Sequence, residues 1–150
     1  MARARDVIRF YREDRDYGEF SNFSPHPIEL DGERWPTSEH YFQAMKFEDP
    51  RSRARVRDAR TPGLAKQIGR GLPGLRADWE EVKDEVMLAA LRAKFTQHRR
   101  LRRALLGTGD ALLVEHTSRD RYWGDGGDGS GENRLGQLLM RLRDDLRGRD

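Results

Sequence analysis

The sequence predicts an α+β protein, mainly α-helical with a few short β-strands, folded as a single domain over residues 1–150. Apolar residues recur at helical spacing in several segments, most clearly in the stretch after Asp78. The candidate strands are short and do not alternate regularly with helices, so a doubly wound parallel sheet is not expected. With 150 residues, 35% of them hydrophobic, the chain has enough apolar material for one core.

The first part of the chain predicts a strand, a hairpin and a helix. Val7 to Tyr11 is typical of a short strand. Residues 27–35 place Asp31-Gly32 between two short arms, which indicates a hairpin turn. The segment Pro36-Thr37-Ser38 then opens a helix. The buried side of this helix is supplied by Tyr41, Phe42, Ala44, Met45 and Phe47.

The middle of the chain predicts three more helical segments. Arg51 to Arg60 is a short helix or turn with a solvated arginine face. Thr61-Pro62 has the pattern of an N-cap followed by proline, so a brief helix to about Ile68 is expected. The longest helix should begin at Asp78, where Glu81 three residues later fits a variant capping box.

The last third predicts a helix, a strand and a final helix. Leu101 to Leu106 extends or follows the long helix, and Gly107-Thr108-Gly109 stops it. Ala111 to Val114 is a short apolar run typical of a buried strand. The final helix starts near Asn133. Its inward-facing residues are Leu135, Leu138, Leu139 and Leu142.

The composition narrows the functional classes. The net charge is only +3 although 37% of residues are charged, so a nucleic-acid partner is permitted but not required. Cysteine is absent, which excludes disulfides and thiolate chemistry. The N-terminus carries no apolar leader and no run approaches a membrane span, so we expect a cytoplasmic protein with no membrane partner. Neither the composition nor the motifs of the sequence indicate an oligomeric state.

The segment RYWGDGGDGSGENRLG, Arg121 to Gly136, contains six of the fifteen glycines. It matches the dinucleotide-binding spacing only formally, because no buried strand precedes it, and it lacks the lysine of a P-loop. Two interpretations remain open. The segment is either a ligand loop leading to free N–H groups at the helix start near Asn133, or a flexible surface loop. Trp123 either stacks on a flat base or plugs the core.

A carboxylate in the first turn of a predicted helix is the second candidate for chemistry. The helix N-terminus favours ionised Glu39, whereas dry surroundings favour its neutral form. Gln43 and Lys46 lie four and seven residues further on, so all three share one helix face. They either contact a polar ligand together or form a surface stripe. His40 and His98 lack zinc-site spacing and are expected to be structural.

Three blocks together resemble one known family. They are GEFSNFSPHPIELDGERWPTSEHYFQAMKF, WEEVKDEVMLAALRAKFTQH and LVEHTSRDRYWGDGGDGSGENRLGQLLMRLR. In this order they resemble the YbiA-like family, also called the NADAR superfamily, over most of residues 17–143. The arginine-rich segment Arg51 to Arg60 and both termini match weakly.

The resemblance implies a compact, mainly helical N-glycosidase. Its bacterial YbiA-type members hydrolyse early riboflavin-pathway intermediates, in which a base is joined through nitrogen to ribose 5-phosphate. An alternative within the family is removal of ADP-ribose from modified guanine in DNA, which would make ADP-ribosylated DNA a partner. A second alternative is a module that binds ADP-ribose or NAD without cleaving it.

The resemblance, together with the chemistry that cleavage of a C1′–N bond requires, also assigns residues. Glu39 corresponds to the family's catalytic glutamate, and Asp125 is the reserve or helper carboxylate. The expected substrate-binding residues are Asn22, Phe23, Lys46, Trp79, Trp123, Gly124 and Asn133. Trp79 or Trp123 would stack the base, while Lys46 and the amides near Gly129 to Asn133 are candidates for holding the sugar phosphate. The scheme requires no metal and no cofactor, and its substrate is a nucleotide-like small molecule.

Overall fold

Six α-helices and four short strands account for most of residues 5–148, the part of the chain that the computed structural model describes. In chain order they are β1 (Val7–Phe10), a 3-10 helix (Gly18–Phe20), β2 (Ile28–Leu30), β3 (Glu33–Trp35), α1 (Ser38–Ala44), α2 (Pro50–Arg57), α3 (Pro62–Gly71), α4 (Trp79–Gln97), α5 (Arg99–Gly107), β4 (Leu112–Glu115) and α6 (Arg134–Arg147). The predicted α+β class is confirmed. No helix within residues 5–148 is long and apolar enough to cross a membrane.

The chain divides into two compact units. The first unit combines residues 5–21 with residues 98–148, and the second is Asn22–Gln97. The first unit holds β1, β4, α5 and α6, whereas the second holds the hairpin and α1 to α4. That all 150 residues act as one domain stays a prediction.

The hairpin of the second unit has the predicted turn. Strands β2 and β3 pair antiparallel, with Ile28 opposite Trp35. Asp31 and Gly32 have φ angles of 56° and 78°, the two positive values that a two-residue type I′ turn requires. The indole of Trp35 donates to the carbonyl of Leu30 at 3.0 Å, which fixes the ring beside the hairpin.

The helix starts of the second unit follow from local capping. Thr37 Oγ1 accepts the His40 N–H at 3.1 Å at the start of α1, and Thr61 Oγ1 accepts the Leu64 N–H at 3.0 Å at the start of α3. Both starts were predicted, although α3 continues past Ile68 to Gly71.

The long helix α4 begins one residue after Asp78, as predicted. The carboxylate of Asp78 accepts hydrogen bonds of 2.6 and 3.0 Å from the guanidinium of Arg76. The predicted side-chain cap is therefore replaced by an ion pair just before the helix.

The first unit is built on a parallel strand pair covered by the last helix. Strand β1 pairs with β4 from Val7 opposite Leu112 to Phe10 opposite Glu115. The pairing is parallel and limited to two strands, so it does not form a doubly wound sheet. Helix α6 packs against β4 at Gly136, where a Cβ would overlap the carbonyl of Leu113. The four predicted leucines of α6 are all buried.

Candidate active site

Glu39 lies in the first turn of α1 in the second unit, as predicted. Its backbone N–H donates to the carbonyl of Asn22 at 3.3 Å, so the segment before the hairpin is attached to the helix start. The residue is only 6% exposed, and its neighbours His40, Tyr41 and Phe42 are buried too. The carboxylate is therefore held in mostly dry surroundings.

The two carboxylate oxygens of Glu39 have different environments. Oε1 accepts a hydrogen bond of 3.0 Å from Nε2 of Gln43, one helical turn further along α1. Among the described residues Oε2 has no hydrogen-bond partner, and this oxygen is not completely buried. One oxygen is thus fixed by the protein, and the other remains available to a water molecule or a ligand.

Burial raises the pKa of Glu39 above its ordinary value of 4.5. The hydrogen bond from Gln43 and the charges of Lys66, Lys46 and Arg70 oppose this effect, but desolvation is larger. The sequence left open whether the helix N-terminus or burial has the larger effect on Glu39, and in the structure burial has the larger effect. A carboxylate whose pKa is raised is a stronger base once ionised.

Three cations, Lys46, Lys66 and Arg70, lie close enough to this carboxylate to lower its pKa through their charge. Lys46 follows α1, whereas Lys66 and Arg70 project from α3, four residues apart and thus on one helix face. Among the described residues neither Lys46 nor Arg70 has an ion-pair partner within 4.0 Å, and burial lowers the pKa of Lys46. Lys46 was predicted from the sequence, whereas Lys66 and Arg70 were not. The four-residue spacing of Lys66 and Arg70 can be read from the sequence, but the packing of their helix against α1 cannot.

Asn22 joins α1 to α4 through its side chain. Its Oδ1 accepts a hydrogen bond of 2.7 Å from Ser38 Oγ, and its Nδ2 contacts the sulfur of Met87 at 3.2 Å. Both ends of the amide are therefore engaged inside the protein. The expected contact of Asn22 with a substrate stays a prediction.

The two aromatic candidates of this unit are placed differently. Trp79, the first residue of α4, is 6% exposed, and its ring centroid lies 5.1 Å from that of Phe42. Phe23 is half-buried, with the ammonium of Lys66 5.8 Å from its ring centroid. Phe23 therefore lies beside one of the cations that surround Glu39.

Phe23 also lines a cavity of about 500 Å³ in the second unit. Thr37, the N-cap of α1, and His40, the residue after Glu39, form another part of its wall. Glu39 itself is not among the lining residues. His40 is structural, as expected, because its two ring nitrogens bond Thr37 Oγ1 at 2.8 Å and the carbonyl of Ala59 at 3.0 Å.

The carboxylate of Asp125, in the first unit, is a hub of local hydrogen bonds. Oδ2 lies 2.7 Å from Nδ1 of His116, and Oδ1 accepts the N–H groups of Thr117 at 3.0 Å and Gly127 at 2.9 Å. Burial alone would raise the pKa of Asp125, but these hydrogen bonds together hold it below the ordinary value. Asp125 therefore folds the glycine-rich segment around an ionised side chain.

Trp123 is half-buried in the same segment, a position between the two alternatives predicted for it. Its backbone N–H donates to Asp120 Oδ1 at 2.8 Å, and its ring stands edge-on to that of Tyr122 at 4.8 Å. Gly124 is buried, and a Cβ there would lie 2.7 Å from the side chain of Thr117. The requirement for glycine at this position is therefore one of packing.

An anion site was predicted at the start of α6. That prediction is wrong for most of the backbone N–H groups concerned, because they already have partners. The N–H groups of Gly131, Glu132 and Asn133 donate to backbone carbonyls within the glycine-rich segment, at 2.8 to 2.9 Å. The next two N–H groups, at the helix start, bind the carbonyls of Tyr122 and Trp123. The segment itself occupies the helix N-terminus, so these donors are not available to a phosphate.

The side chain of Asn133 is likewise engaged. Its Nδ2 donates to the carbonyl of Leu113 at 2.9 Å, and its Oδ1 accepts the N–H of Glu115 at 3.0 Å. The amide therefore continues the hydrogen bonding of β4 as a neighbouring strand would. Its expected contact with a substrate gains no support from this geometry.

Comparisons with known proteins agree with this architecture. A family model described as the NADAR domain matches residues 9–147. N-glycosidase YbiA of Escherichia coli (strain K12) is 56% identical over 141 residues, which cover 93% of this chain and 88% of that protein. The chloroplastic riboflavin biosynthesis protein PYRR of Zea mays is 42% identical over 159 residues, covering 95% of this chain and 26% of that protein. The NMR structure of E. coli YbiA matches with a TM-score of 0.90 and 53% identity, covering 99% of this chain and 89% of that one. The chain therefore belongs to the NADAR domain family.

Proposed function

We propose that this chain hydrolyses the C1′–N bond of phosphoribosylamino-pyrimidines, the early intermediates of riboflavin biosynthesis, and releases ribose 5-phosphate and the base. The class of reaction is that of its relatives: the chain is an N-glycosidase, a hydrolase acting on N-glycosyl bonds. Two of the relatives carry the name riboflavin biosynthesis protein, and this name supports the proposed substrate.

The observation that carries the proposal is the environment of Glu39. Breaking the C1′–N bond builds positive charge on the ribose ring, and a nearby carboxylate stabilises that charge. Water then adds its OH to C1′ as the C1′–N bond breaks, and the proton that the water loses to the carboxylate passes on to the departing nitrogen, so the base leaves with an N–H and the ionised carboxylate is regenerated. The open Oε2 is the atom available for this step, because Gln43 holds Oε1.

The cations around Glu39 support a phosphorylated substrate. Lys46, Lys66 and Arg70 all act on the carboxylate through their charge, and one carboxylate cannot neutralise three cations. Lysine and arginine are the side chains that bind phosphate most strongly in proteins. We assign the 5′-phosphate of the riboside to these residues, with Lys66 and Arg70 replacing the amides at the start of α6.

We further propose that Asp125 serves the reaction by ordering the glycine-rich segment. Its two oxygens already receive three hydrogen bonds, so it is poorly placed to exchange a proton. Trp123 is half-buried, which leaves part of its ring available for the base-stacking role that we predicted.

The test is an incubation of the purified protein with three substrates. These are the phosphoribosylamino-pyrimidine, its dephosphorylated riboside and DNA carrying ADP-ribosylated guanine, each monitored for release of the sugar. We expect rapid release of ribose 5-phosphate from the first substrate only. Preferential cleavage of the modified DNA would replace the proposed substrate, and binding of the ligands without release of any base would overturn catalysis altogether.

A further inference from the structure

We infer that Gln43 is a positioning residue for Glu39, and that Gly69 of α3 fixes Gln43 in the orientation that this role requires. The inference rests on the proposed role of Glu39 as the acting carboxylate. It concerns two residues that do not themselves need to touch the substrate.

The first support is the hydrogen bonding of the Gln43 amide. The side chain is buried, and its Nε2 donates to Glu39 Oε1 at 3.0 Å. Its Oε1 is also buried but has no hydrogen-bond partner. A buried acceptor without a donor is unfavourable, so the amide gains nothing from its carbonyl end. The hydrogen bond to Glu39 is therefore what stabilises this orientation of the Gln43 amide, because the reversed amide would place the oxygen of Gln43 against the oxygen of Glu39.

The second support is the close packing of α3 on α1. Gly69 is buried, and a Cβ at this position would overlap Gln43 Oε1 and lie 3.0 Å from the Cβ of Gln43. Only glycine allows the backbone of α3 to come so near. The same helix turn carries Lys66 and Arg70, so the contact at Gly69 also brings these cations toward Glu39.

The consequence is that Oε1 is held while Oε2 is kept available. A carboxylate fixed at one oxygen loses less freedom when it meets the reacting atoms, which is the general benefit of preorganisation. The hydrogen bond also favours the ionised form, and so it extends the pH range in which Glu39 can accept a proton.

The experiment compares Gln43→Met and Gly69→Ala with two matched controls from α3. Gln67→Met repeats the first change at an exposed position, and Gly71→Ala repeats the second where a Cβ would meet no atom within 4 Å. On the acidic limb of the pH profile we expect Gln43→Met to lose roughly tenfold in kcat/KM, as for removal of a hydrogen bond to a charged group, and to recover only in part as the pH is raised, because the loss of positioning remains. Its Tm should change little, because losing the donor to Glu39 Oε1 is offset by removing the buried carbonyl of Gln43 that has no partner.

Gly69→Ala should move the acidic limb of the pH profile in the same direction, and in a Gln43→Ala background it should have no further effect. An acidic limb of Gln43→Met identical to that of the wild type would overturn the inference, as would equal losses in the control variants.

An NMR titration of the Glu39 carboxyl carbon gives a readout without substrate: in Gln43→Met, Glu39 should titrate at higher pH than in the wild type. If the wild type cleaves no N-riboside, the proposed function fails while this titration still decides the role of Gln43.

Discussion

Replacing Glu39 by glutamine should abolish turnover and, at the same time, stabilise the protein. The introduced amide is nearly isosteric and can still accept the hydrogen bond from Gln43, so the contact at 3.0 Å survives. Loss of a positioned carboxylate that acts as a base costs roughly 10²- to 10⁴-fold in rate. The stabilisation follows from the pKa of Glu39, which burial raises, because ionising this group in the folded protein opposes folding.

The pH dependence of this stabilisation follows from the same shift. Below pH 4.5 both the folded and the unfolded wild type hold the proton, so Glu39→Gln should not differ from it. As the pH rises through the raised pKa of the folded state, the wild type loses stability and the variant does not. Every tenfold increase in proton affinity on folding corresponds to about 1.4 kcal/mol. For a protein of this size that is about 3–6 °C in Tm.

The assay is thermal unfolding by circular dichroism from pH 4 to pH 8, combined with sugar release. Glu48→Gln, a change at an exposed carboxylate of the same unit, is the matched control and should alter neither quantity. Normal turnover of Glu39→Gln would remove this residue from the mechanism. A lower Tm than the wild type at pH 8 would show that the surrounding cations more than compensate for burial, and it would refute the reasoning about desolvation.

Further predictions concern the phosphate site, the proton and the packing of the first unit. Lys66→Gln and Arg70→Gln should raise KM for the phosphorylated riboside at pH 8 and leave that for the dephosphorylated riboside nearly unchanged; equal effects on both would contradict a phosphate contact. The acidic limb of kcat should lie at higher pH than that of kcat/KM, because bound phosphate offsets the cations that lower the pKa of Glu39; coincident limbs in the two profiles would argue against this coupling. Gly136→Ala should destabilise by about 1–3 kcal/mol in urea unfolding, since its Cβ would overlap a backbone carbonyl of β4, and an unchanged midpoint would disprove that contact. Asp125→Asn should lower Tm at pH 7, with the difference shrinking as the pH falls from 3.8 through the depressed pKa of the folded state, and a difference that stays constant as the pH falls below 3.8 would show another cause.

The elements that local chemistry determines could be predicted from the sequence. Asp31-Gly32 adopts the turn that its residue types favour, and Thr37 and Thr61 cap the helices that they precede. The prediction failed in one detail where a neighbouring charge competed: the helix begins after Asp78, but the carboxylate of Asp78 pairs with Arg76 and does not cap the helix. Such competition between two local partners depends on rotamers, and the sequence does not specify those.

The candidate site was predictable in its central residue but not in its surroundings. Glu39 could be proposed because its block resembles a family motif, and Gln43 could be placed beside it because helical periodicity puts the two on the same face. Lys66 and Arg70 belong to another helix, and their approach depends on the close packing at Gly69. Sequence spacing within one helix carries no information about that contact.

The glycine-rich segment shows the opposite error. Its glycine content indicated either a ligand loop or a flexible surface loop, and the first of these interpretations expected free backbone N–H groups at the start of α6. The N–H groups from Gly131 to Leu135 instead bind carbonyls earlier in the same segment. Composition reports how freely a backbone can bend, but it does not report which of its own carbonyls a bent backbone then meets.

In the function that we propose, the arrangement around Glu39 gives the substrate phosphate a part in the chemical step. Without a ligand, the three cations hold the pKa of Glu39 lower than burial alone would. A phosphate dianion on Lys66 and Arg70 offsets much of that positive charge, so the proton affinity of the carboxylate rises when the substrate is bound. A riboside without phosphate meets a weaker base. Binding energy at the phosphate, a part of the substrate that does not react, is therefore expressed as a faster reaction and not only as tighter binding. An enzyme can in this way distinguish a phosphorylated riboside from the same riboside without its phosphate.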